Sequence, residues 1–200
     1  LNVGKTQISG IEISLTGQGK ITNNLTINLL GGYTYMNPIP MDPNEVYETL
    51  ETPMWIDLDG DNILEEVSEL TYNNSSSDST VLKYRYNHIA KLDLEIVYKK
   101  ISLGGSFRYN SFMSNIDKIF TEDLINNGIP GTFDGIPGIN DAREEFKHGD
   151  FIIDMRAGYS LNDKIRLGII INNMLNREYM SRPADMEIQR TFAFQLSVKL

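Results

Sequence analysis

The residues best suited to chemistry form one acidic run, Asp57-Leu58-Asp59-Gly60-Asp61-Asn62-Ile63-Leu64-Glu65-Glu66. Three carboxylates at alternate positions, with Gly60 and Asn62 permitting a tight bend, bring oxygens toward one point. Ca²⁺ takes six to eight such oxygens at about 2.3–2.6 Å. In that reading Asp57, Asp59, Asp61 and one of Glu65 or Glu66 supply carboxylates, and the Ile63 carbonyl contributes. The full EF-hand pattern is not met: Asn62 replaces the glycine of the sharp turn, and Ser68 sits where a closing glutamate belongs. A solvated acidic turn is the competing reading of the same residues. Trp55, the only tryptophan, lies beside the run and is placed either to stack on a sugar or aromatic ligand or to anchor its loop.

Other chemistry is thinner. His88 falls in an apolar register close to Tyr84 and Tyr86, and His148 sits beside a loop end. Neither has a second histidine at metal-ligand spacing, so both read as polar structural residues. Hydrolysis needs a nucleophile, a base and an orienting acid within reach of one another. Ser75 to Ser77 lie in a low-complexity stretch, and no Gly-x-Ser-x-Gly elbow occurs, so the chain reads as a non-enzyme. Zero cysteines remove disulfides, thiol catalysis and thiolate metal sites together. A net charge of −9 and a pI near 4.7 exclude a nucleic-acid partner, which needs a basic face.

The elements that must position these residues are strands. With period two, Ser9, Ile11, Ile13, Leu15 and Gly17 oppose Gly10, Glu12, Ser14, Thr16 and Gln18. A second strand sets Leu25, Ile27, Leu29, Tyr33 and Tyr35 against Thr26, Asn28, Leu30, Gly32 and Thr34. The third is expected from about Leu82 to Tyr98, its second face carrying Lys83, Arg85, Lys91, Asp93 and Glu95. The fourth covers Ser102 to Asn110, the fifth Phe151 to Leu161 and the sixth Ile165 to Asn172. The last ten residues alternate without a fault, with Phe192, Phe194, Leu196, Val198 and Leu200 on one face.

Connections alternate between short turns near Lys20, Lys99 and Asp163 and long polar excursions over 37–80, 113–148 and 176–189. In the second excursion, Gly128-Ile129-Pro130-Gly131 and Gly135-Ile136-Pro137-Gly138 read as repeated turns of an ordered lid. Compact soluble domains seldom carry such long connections. Transmembrane barrels do, with tight periplasmic turns on one side and long extracellular loops on the other. No apolar run reaches the roughly 18–20 residues of a membrane helix, and the mean hydropathy of −0.28 hides amphipathic strands by averaging. Several strands hold their pattern well beyond the five or six residues common in soluble sheets. Tyrosine and phenylalanine gather near their ends, as at Tyr33, Tyr35, Tyr84, Tyr86, Tyr98, Tyr109, Phe151, Tyr159 and Phe192. The expected fold class is therefore all-β, an antiparallel transmembrane β-barrel with long extracellular loops. Seven strands leave open edges in lipid, so the chain is expected to be a piece of a larger barrel.

Three phrases carry a family resemblance. They are Thr6-Gln7-Ile8-Ser9-Gly10-Ile11-Glu12, then Asn172-Asn173-Met174-Leu175-Asn176-Arg177-Glu178-Tyr179 with Arg182-Pro183 after it, and Arg190-Thr191-Phe192-Ala193-Phe194-Gln195-Leu196-Ser197-Val198-Lys199-Leu200. The chain resembles the C-terminal barrel portion of TonB-dependent outer-membrane receptors, especially the Bacteroidetes type. One departure is Leu200, where an aromatic terminal residue is more usual. The resemblance implies that residues 1–200 all belong to one barrel domain, about seven C-terminal strands of a roughly 22-stranded barrel. The plug domain and TonB-engaging segment would lie outside this chain. The implied activity is energy-coupled uptake of a siderophore, cobalamin, glycan or peptide through the outer membrane of a Gram-negative bacterium. Implied partners are outer-membrane lipid, the TonB complex through the plug, the barrel-assembly machinery through Phe192, Phe194, Leu196, Val198 and Leu200, and a surface lipoprotein. A passive porin or adhesin-like barrel without a plug is the alternative, and an outer-membrane hydrolase is the weakest reading.

Overall fold

A computed structural model describes residues 4–56, 63, 65–121, 139–182 and 185–199. The chain opens with two long strands, β1 (Thr6–Thr22) and β2 (Leu25–Pro40), joined through Asn23 and Asn24. A separate hairpin follows, β3 (Val46–Ile56) with β4 (Glu65–Thr71), and then a short helix α1 (Tyr72–Ser75). Strands β5 (His88–Tyr98) and β6 (Ile101–Asn110) meet at the Lys99-Lys100 turn. A 3₁₀ turn at Lys118–Phe120 and helix α2 (Ile139–Glu145) precede β7 (Asp150–Ser160) and β8 (Ile165–Asn172). A small pair, β9 (Met180–Arg182) and β10 (Asp185–Met186), leads to β11 (Thr191–Val198).

Seven strands form one antiparallel sheet in the order β1-β2-β5-β6-β7-β8-β11, so each pairs with the next sheet strand along the chain. The three short turns share one edge and the three long excursions the other, which is the asymmetry expected of a transmembrane barrel wall. Each short turn is tied to its neighbour by backbone bonds, from Lys99 N–H to Asn24 O at 2.9 Å, Ser160 N–H to Lys100 O at 2.8 Å, and Lys199 N–H to Lys164 O at 2.8 Å. Lys99 takes a φ of 52° in its two-residue turn, the left-handed geometry such hairpins need.

Register settles which side chains share a face. Leu29, Leu94 and Gly105 align, as do Leu92, Phe107 and Ile153, while Asn28, Glu95, Gly104 and Arg156 align on the opposite side. The apolar side is the more open one: Leu92, Leu94 and Ile96 are 46%, 38% and 38% exposed. Between them Asp93 and Glu95 are half-buried. A water-soluble fold reverses that order, burying leucine and exposing carboxylates. Few buried apolar side chains occur among the described residues: Val67, Met113, Ile116 and Ile139 belong to the excursions, and Pro38 of β2 and Ile152 of β7 lie at the excursion end of the sheet rather than in its middle. Among the described residues the middle of the sheet thus packs no hydrophobic core on its apolar face, and lipid is the medium that face requires.

Aromatic residues bound that face at both ends. Tyr33, Tyr35, His88, Tyr109, Phe151 and Phe192 lie toward the long excursions, and Tyr98 and Tyr159 toward the short turns. His88 to Tyr98 spans about 33 Å along β5, or about 25 Å in height at the usual tilt of roughly 40°, which matches the apolar band of such barrels.

The structure corrects the expected third strand. It begins at His88, not Leu82, because the backbone of 82–87 makes only scattered bonds instead of a ladder: Leu82 N–H to Pro38 O at the end of β2 and Tyr84 N–H to Asn115 O in the second excursion. Tyr84 even adopts a φ of 59°, incompatible with a strand. Tyr84 and Tyr86 are thus loop residues and not part of the aromatic girdle. His88 instead sits beside Tyr33 and Tyr35, with Tyr33 Oη 2.8 Å from its Nδ1. The first excursion also contains the β3–β4 hairpin, which alternation did not announce. Leu200 lies outside the described residues.

Candidate functional site

Two surfaces carry the polar chemistry of the chain: one face of the sheet and the platform built by the excursions. On the polar face, charges pair across strands. Arg156 of β7 reaches over β6 to Asp93 of β5 in a two-pronged contact, Nη1 to Oδ2 and Nη2 to Oδ1, both 2.7 Å. Ser106 between them donates to the same carboxylate at 2.5 Å. Arg108 pairs with Asp154 at 3.2 Å, and Arg166 donates to Ser102 Oγ at 2.6 Å and approaches Glu95 at 3.9 Å. Asn28 of β2 donates to Glu95 at 3.2 Å. The result is a polar face of paired opposite charges extending from β2 to β8. Glycines make room for it. A Cβ at Gly104 would stand 2.6 Å from Arg156 Nε, and one at Gly158 would stand 2.8 Å from an Arg166 guanidinium nitrogen.

At the strand tops the Asn-rich phrase has a structural task. Asn173, buried and at φ 49°, donates its backbone N–H to Asp154 Oδ1 at 2.8 Å. Its side chain exchanges bonds with Arg177, accepting from the N–H at 2.9 Å and donating to the carbonyl at 2.8 Å. Asn176, also left-handed at φ 51°, accepts from Arg190 N–H at 2.9 Å. Asparagine tolerates this conformation better than other non-glycine residues. Arg177 then ties this turn to β7 through Asp150 at 3.2 Å and packs over the Phe151 and Phe146 rings.

The platform joins the first excursion to the second. Asn115 is fully buried and bonds in four directions, donating to Val81 O at 2.6 Å and Tyr72 Oη at 3.0 Å and accepting from Asp78 N–H at 3.1 Å and Ser77 Oγ at 3.4 Å. Lys83 pairs with Asp117 at 2.5 Å, and the Tyr84 hydroxyl donates to the other oxygen of that carboxylate. Met113, Ile116 and Ile139 pack beneath, against Tyr84, Tyr86 and Phe120. The third excursion is joined through Tyr86, whose hydroxyl donates to Ser181 O at 3.0 Å.

Burial, reinforced by the Asp117 carboxylate, pushes the Tyr84 hydroxyl up to about 12. A group raised in the folded state adds stability that is complete below its ordinary value and lost as pH rises through the folded one. The Tyr84–Asp117 contact is therefore constant across neutral pH and weakens between about pH 10 and 12.

Gly149 enters β7 at a φ of 83°, where a Cβ would collide with the Asn110 carbonyl and lie 2.9 Å from Ser111 Cα. Gly149→Val is expected to cost on the order of 2 kcal/mol or more. Faster tryptic cleavage at the neighbouring Lys147 is the measurement, and cleavage at the unchanged rate would refute the strain argument.

The sequence-derived site residues fall as follows. Asp57, Asp59 and Asp61 lie outside the described residues, as does the Gly-Ile-Pro-Gly pair. Ile63 and Glu65 are described, with Glu65 opening β4 opposite Ile56. Trp55 stands opposite Glu66 and is 38% exposed on the hairpin. Phe192, Phe194, Leu196 and Val198 are 61%, 84%, 65% and 57% exposed on the apolar side of β11. Among the described residues no group of three or more histidine or carboxylate side chains is arranged to hold a metal. Sequence reasoning missed the Asp93–Arg156 and Asn115 arrangements; the alternating charges of β5, β6 and β7 were the visible signal for the first. A cavity of about 70 Å³ between the second and third excursions, lined by Tyr86, Met113, Ile139, Arg143 and Met180, is far smaller than the roughly 300–1,000 Å³ of ligand pockets. Open wall and platform are what the described residues present.

Comparison with known proteins gives the same architecture. Residues 1–174 match the family model described as TonB dependent receptor-like, beta-barrel. No curated protein matches. Among solved structures, the ferric-catecholate import receptor Fiu from E. coli K12 in its closed form superposes with a TM-score of 0.56 at 20% identity, over 98% of this chain and 21% of that one. The siderophore receptor PiuA from Acinetobacter baumannii gives a TM-score of 0.58 at 16% identity, over 98% and 22%. P. aeruginosa FpvA, in a complex with a heterologous ferric pyoverdine, gives 0.52 at 11% identity, over 96% and 19%. The chain thus spans about a fifth of the length of these structures. Its two-faced sheet, its alternating connections and the family match together place it in the TonB-dependent receptor family, as part of that family's outer-membrane β-barrel.

Proposed function

We propose that this chain supplies wall and extracellular loops to a receptor that takes up a siderophore by TonB-dependent active transport. The observation that carries the reading is the two-faced sheet, apolar side chains outward and the Asp93–Arg156 and Arg108–Asp154 pairs inward. A hydrated, charge-balanced lining suits passage of a large polar chelate and equally suits contact with a polar plug. Two structural neighbours named as a ferric-catecholate import receptor and a siderophore receptor, and a third bound to an iron–pyoverdine complex, favour a ferric chelate over cobalamin, a glycan or a peptide. The test is uptake of labelled ferric siderophores by iron-starved cells expressing the full receptor, with and without a functional TonB. Uptake that persists undiminished without TonB would instead support a passive porin.

A non-enzymatic role is supported by how the serine stretch is used: Ser75 Oγ donates to Thr71 O at 2.7 Å and accepts from Lys83, and Ser77 Oγ accepts from Ile116 N–H at 3.0 Å. The phrases at 172–179 and 190–200 support the Bacteroidetes type, and with it a surface lipoprotein seated on the excursions. Phe192, Phe194, Leu196, Val198 and Leu200 are proposed as the strand read by the barrel-assembly machinery. Trp55 is proposed as a stacking contact for substrate.

For the acidic run, Ca²⁺ held by Asp57, Asp59, Asp61, Ile63 O and Glu65 is proposed on its alternating carboxylates. Asp59→Ala is expected to abolish calcium-dependent protection of the β3–β4 connection from protease. Equal cleavage of the unchanged protein with calcium and with chelator would discard the metal.

A further inference from the structure

We propose that the bore side of the short-turn edge is a carboxylate-binding site that anchors an acidic segment of the receptor's plug. The register that puts Glu95 and Arg156 on the polar face continues to this edge, where Ser160 pairs with Arg166 and Arg166 with Ser197. Lys164 and Lys199 share that parity. The ladder ends with the two opposite one another: Val198 pairs with Ile165, and Lys199 N–H bonds to Lys164 O at 2.8 Å. Two ammonium-bearing side chains and a guanidinium therefore face the bore together.

Further along this face, Arg156 holds Asp93 and Arg108 holds Asp154. At the short-turn edge that pairing stops. Arg166 reaches Glu95 only at 3.9 Å, and neither Lys164 nor Lys199 forms an ion pair among the described residues. With Lys100 they line an open concavity of about 460 Å³, whose one carboxylate among the described residues is Asp163 of the β7–β8 turn, itself in no ion pair there. Lys100 Nζ donates to Leu161 O at 3.2 Å, and Lys99 holds its ammonium 5.4 Å from the centre of the Tyr98 ring, which carries it toward the apolar side. Like charges directly opposite across a strand pair destabilise that pair. The repulsion is present whenever the barrel is folded, so a resident anion offsets it where a passing solute does not.

The surroundings identify the anion. Carboxylate is the partner that the cations of this face already use, and the Ser160 and Ser197 hydroxyls flank Arg166 in both ladders as neutral donors to it. The chain spans about a fifth of the length of the solved receptors it superposes on, so most of the polypeptide able to reach the bore lies outside residues 1–200. A body packed in the bore displaces water from these side chains and strengthens each ion pair that it completes. The inference rests on membership of a plugged receptor family and not on the cargo, so failed siderophore uptake leaves it standing.

The test is zero-length carbodiimide cross-linking of the full receptor in outer-membrane vesicles, read by tandem mass spectrometry. The reagent joins a lysine amine to a carboxylate only where the two are in contact. Cross-links from Lys164 or Lys199 to aspartate or glutamate of the plug are expected, and they persist in excess citrate. With Lys164→Gln and Lys199→Gln combined, hydrogen exchange of the cross-linked plug segment is expected to quicken roughly two- to fivefold, the effect of losing a partly exposed ion pair. The ladders of β7, β8 and β11 keep their protection. Lys164→Arg with Lys199→Arg restores the slow exchange, and heat-modifiable gel mobility confirms that every variant is a folded barrel. Absence of plug cross-links overturns the proposal, as do cross-links confined to Asp163 or Glu95. Loss of the plug cross-links in citrate assigns the site to free anions and overturns it too, as does plug exchange that the glutamine variant leaves unchanged.

Discussion

Leu94→Arg is expected to destabilise the bilayer-inserted wall by about 2–4 kcal/mol, the cost of a guanidinium near the hydrocarbon midplane. Leu94 lies between the two aromatic girdles, opposite Leu29 and Gly105, with its side chain on the open apolar face. Asn28→Arg is expected to change stability by less than about 1 kcal/mol, since position 28 faces the polar side and the new cation would meet the Glu95 carboxylate that Asn28 already contacts. The two positions are only one strand pairing apart, so the contrast isolates facing from location. Urea titration of the receptor in lipid vesicles, followed by heat-modifiable gel mobility, measures both. A larger loss for Asn28→Arg than for Leu94→Arg would invert the assignment of lipid and water sides.

Asn115→Ala is expected to loosen the platform at a cost of about 1–3 kcal/mol, because it orphans the Asp78 N–H and takes one donor each from the Val81 carbonyl and the Tyr72 hydroxyl, which then keep only each other and Lys83 N–H. None of those groups belongs to the sheet, so the loss is local. Hydrogen exchange should quicken across 77–84 and 114–117 while the ladders of β5 to β8 keep their protection. Asn115→Asp retains the acceptor but loses both donors, beside Asp117, and is expected to weaken the platform as well. Unaltered exchange in the excursions of Asn115→Ala would mean that the Met113, Ile116 and Ile139 cluster suffices by itself.

The strands were legible because period-two alternation is a local property, and it holds in β1, β2 and β11 with almost no exceptions. Where alternation survives in a segment held by loops, it misleads. Leu82, Tyr84 and Tyr86 alternate with polar residues, yet Leu82 and Tyr84 give their N–H groups to the distant Pro38 and Asn115 carbonyls, which no local pattern reveals. Strand β2 also runs on to Pro40, past two prolines that periodicity penalises. They are tolerated because Met36 directs its N–H toward Asn87, and residues of the same parity, Pro38 and Pro40, lack ring N–H groups where the β5 ladder has already ended. The charged lining was visible as composition but not as pairing. Asp93 and Arg156 are 63 residues apart, and their meeting depends on two strand registers, not on spacing. Asn115 gave no signal at all, since a lone asparagine in a polar stretch looks the same whether it is solvated or fully enclosed.

Arg156 and Arg166 recline over Gly104 and Gly158 instead of projecting from the wall. A β-substituent at either glycine would lift the guanidinium inward and narrow the bore by the reach of a long side chain. Laid flat, the same groups keep their charges spent on Asp93 and Ser102 along the wall, so that neither cation stands proud of the polar face.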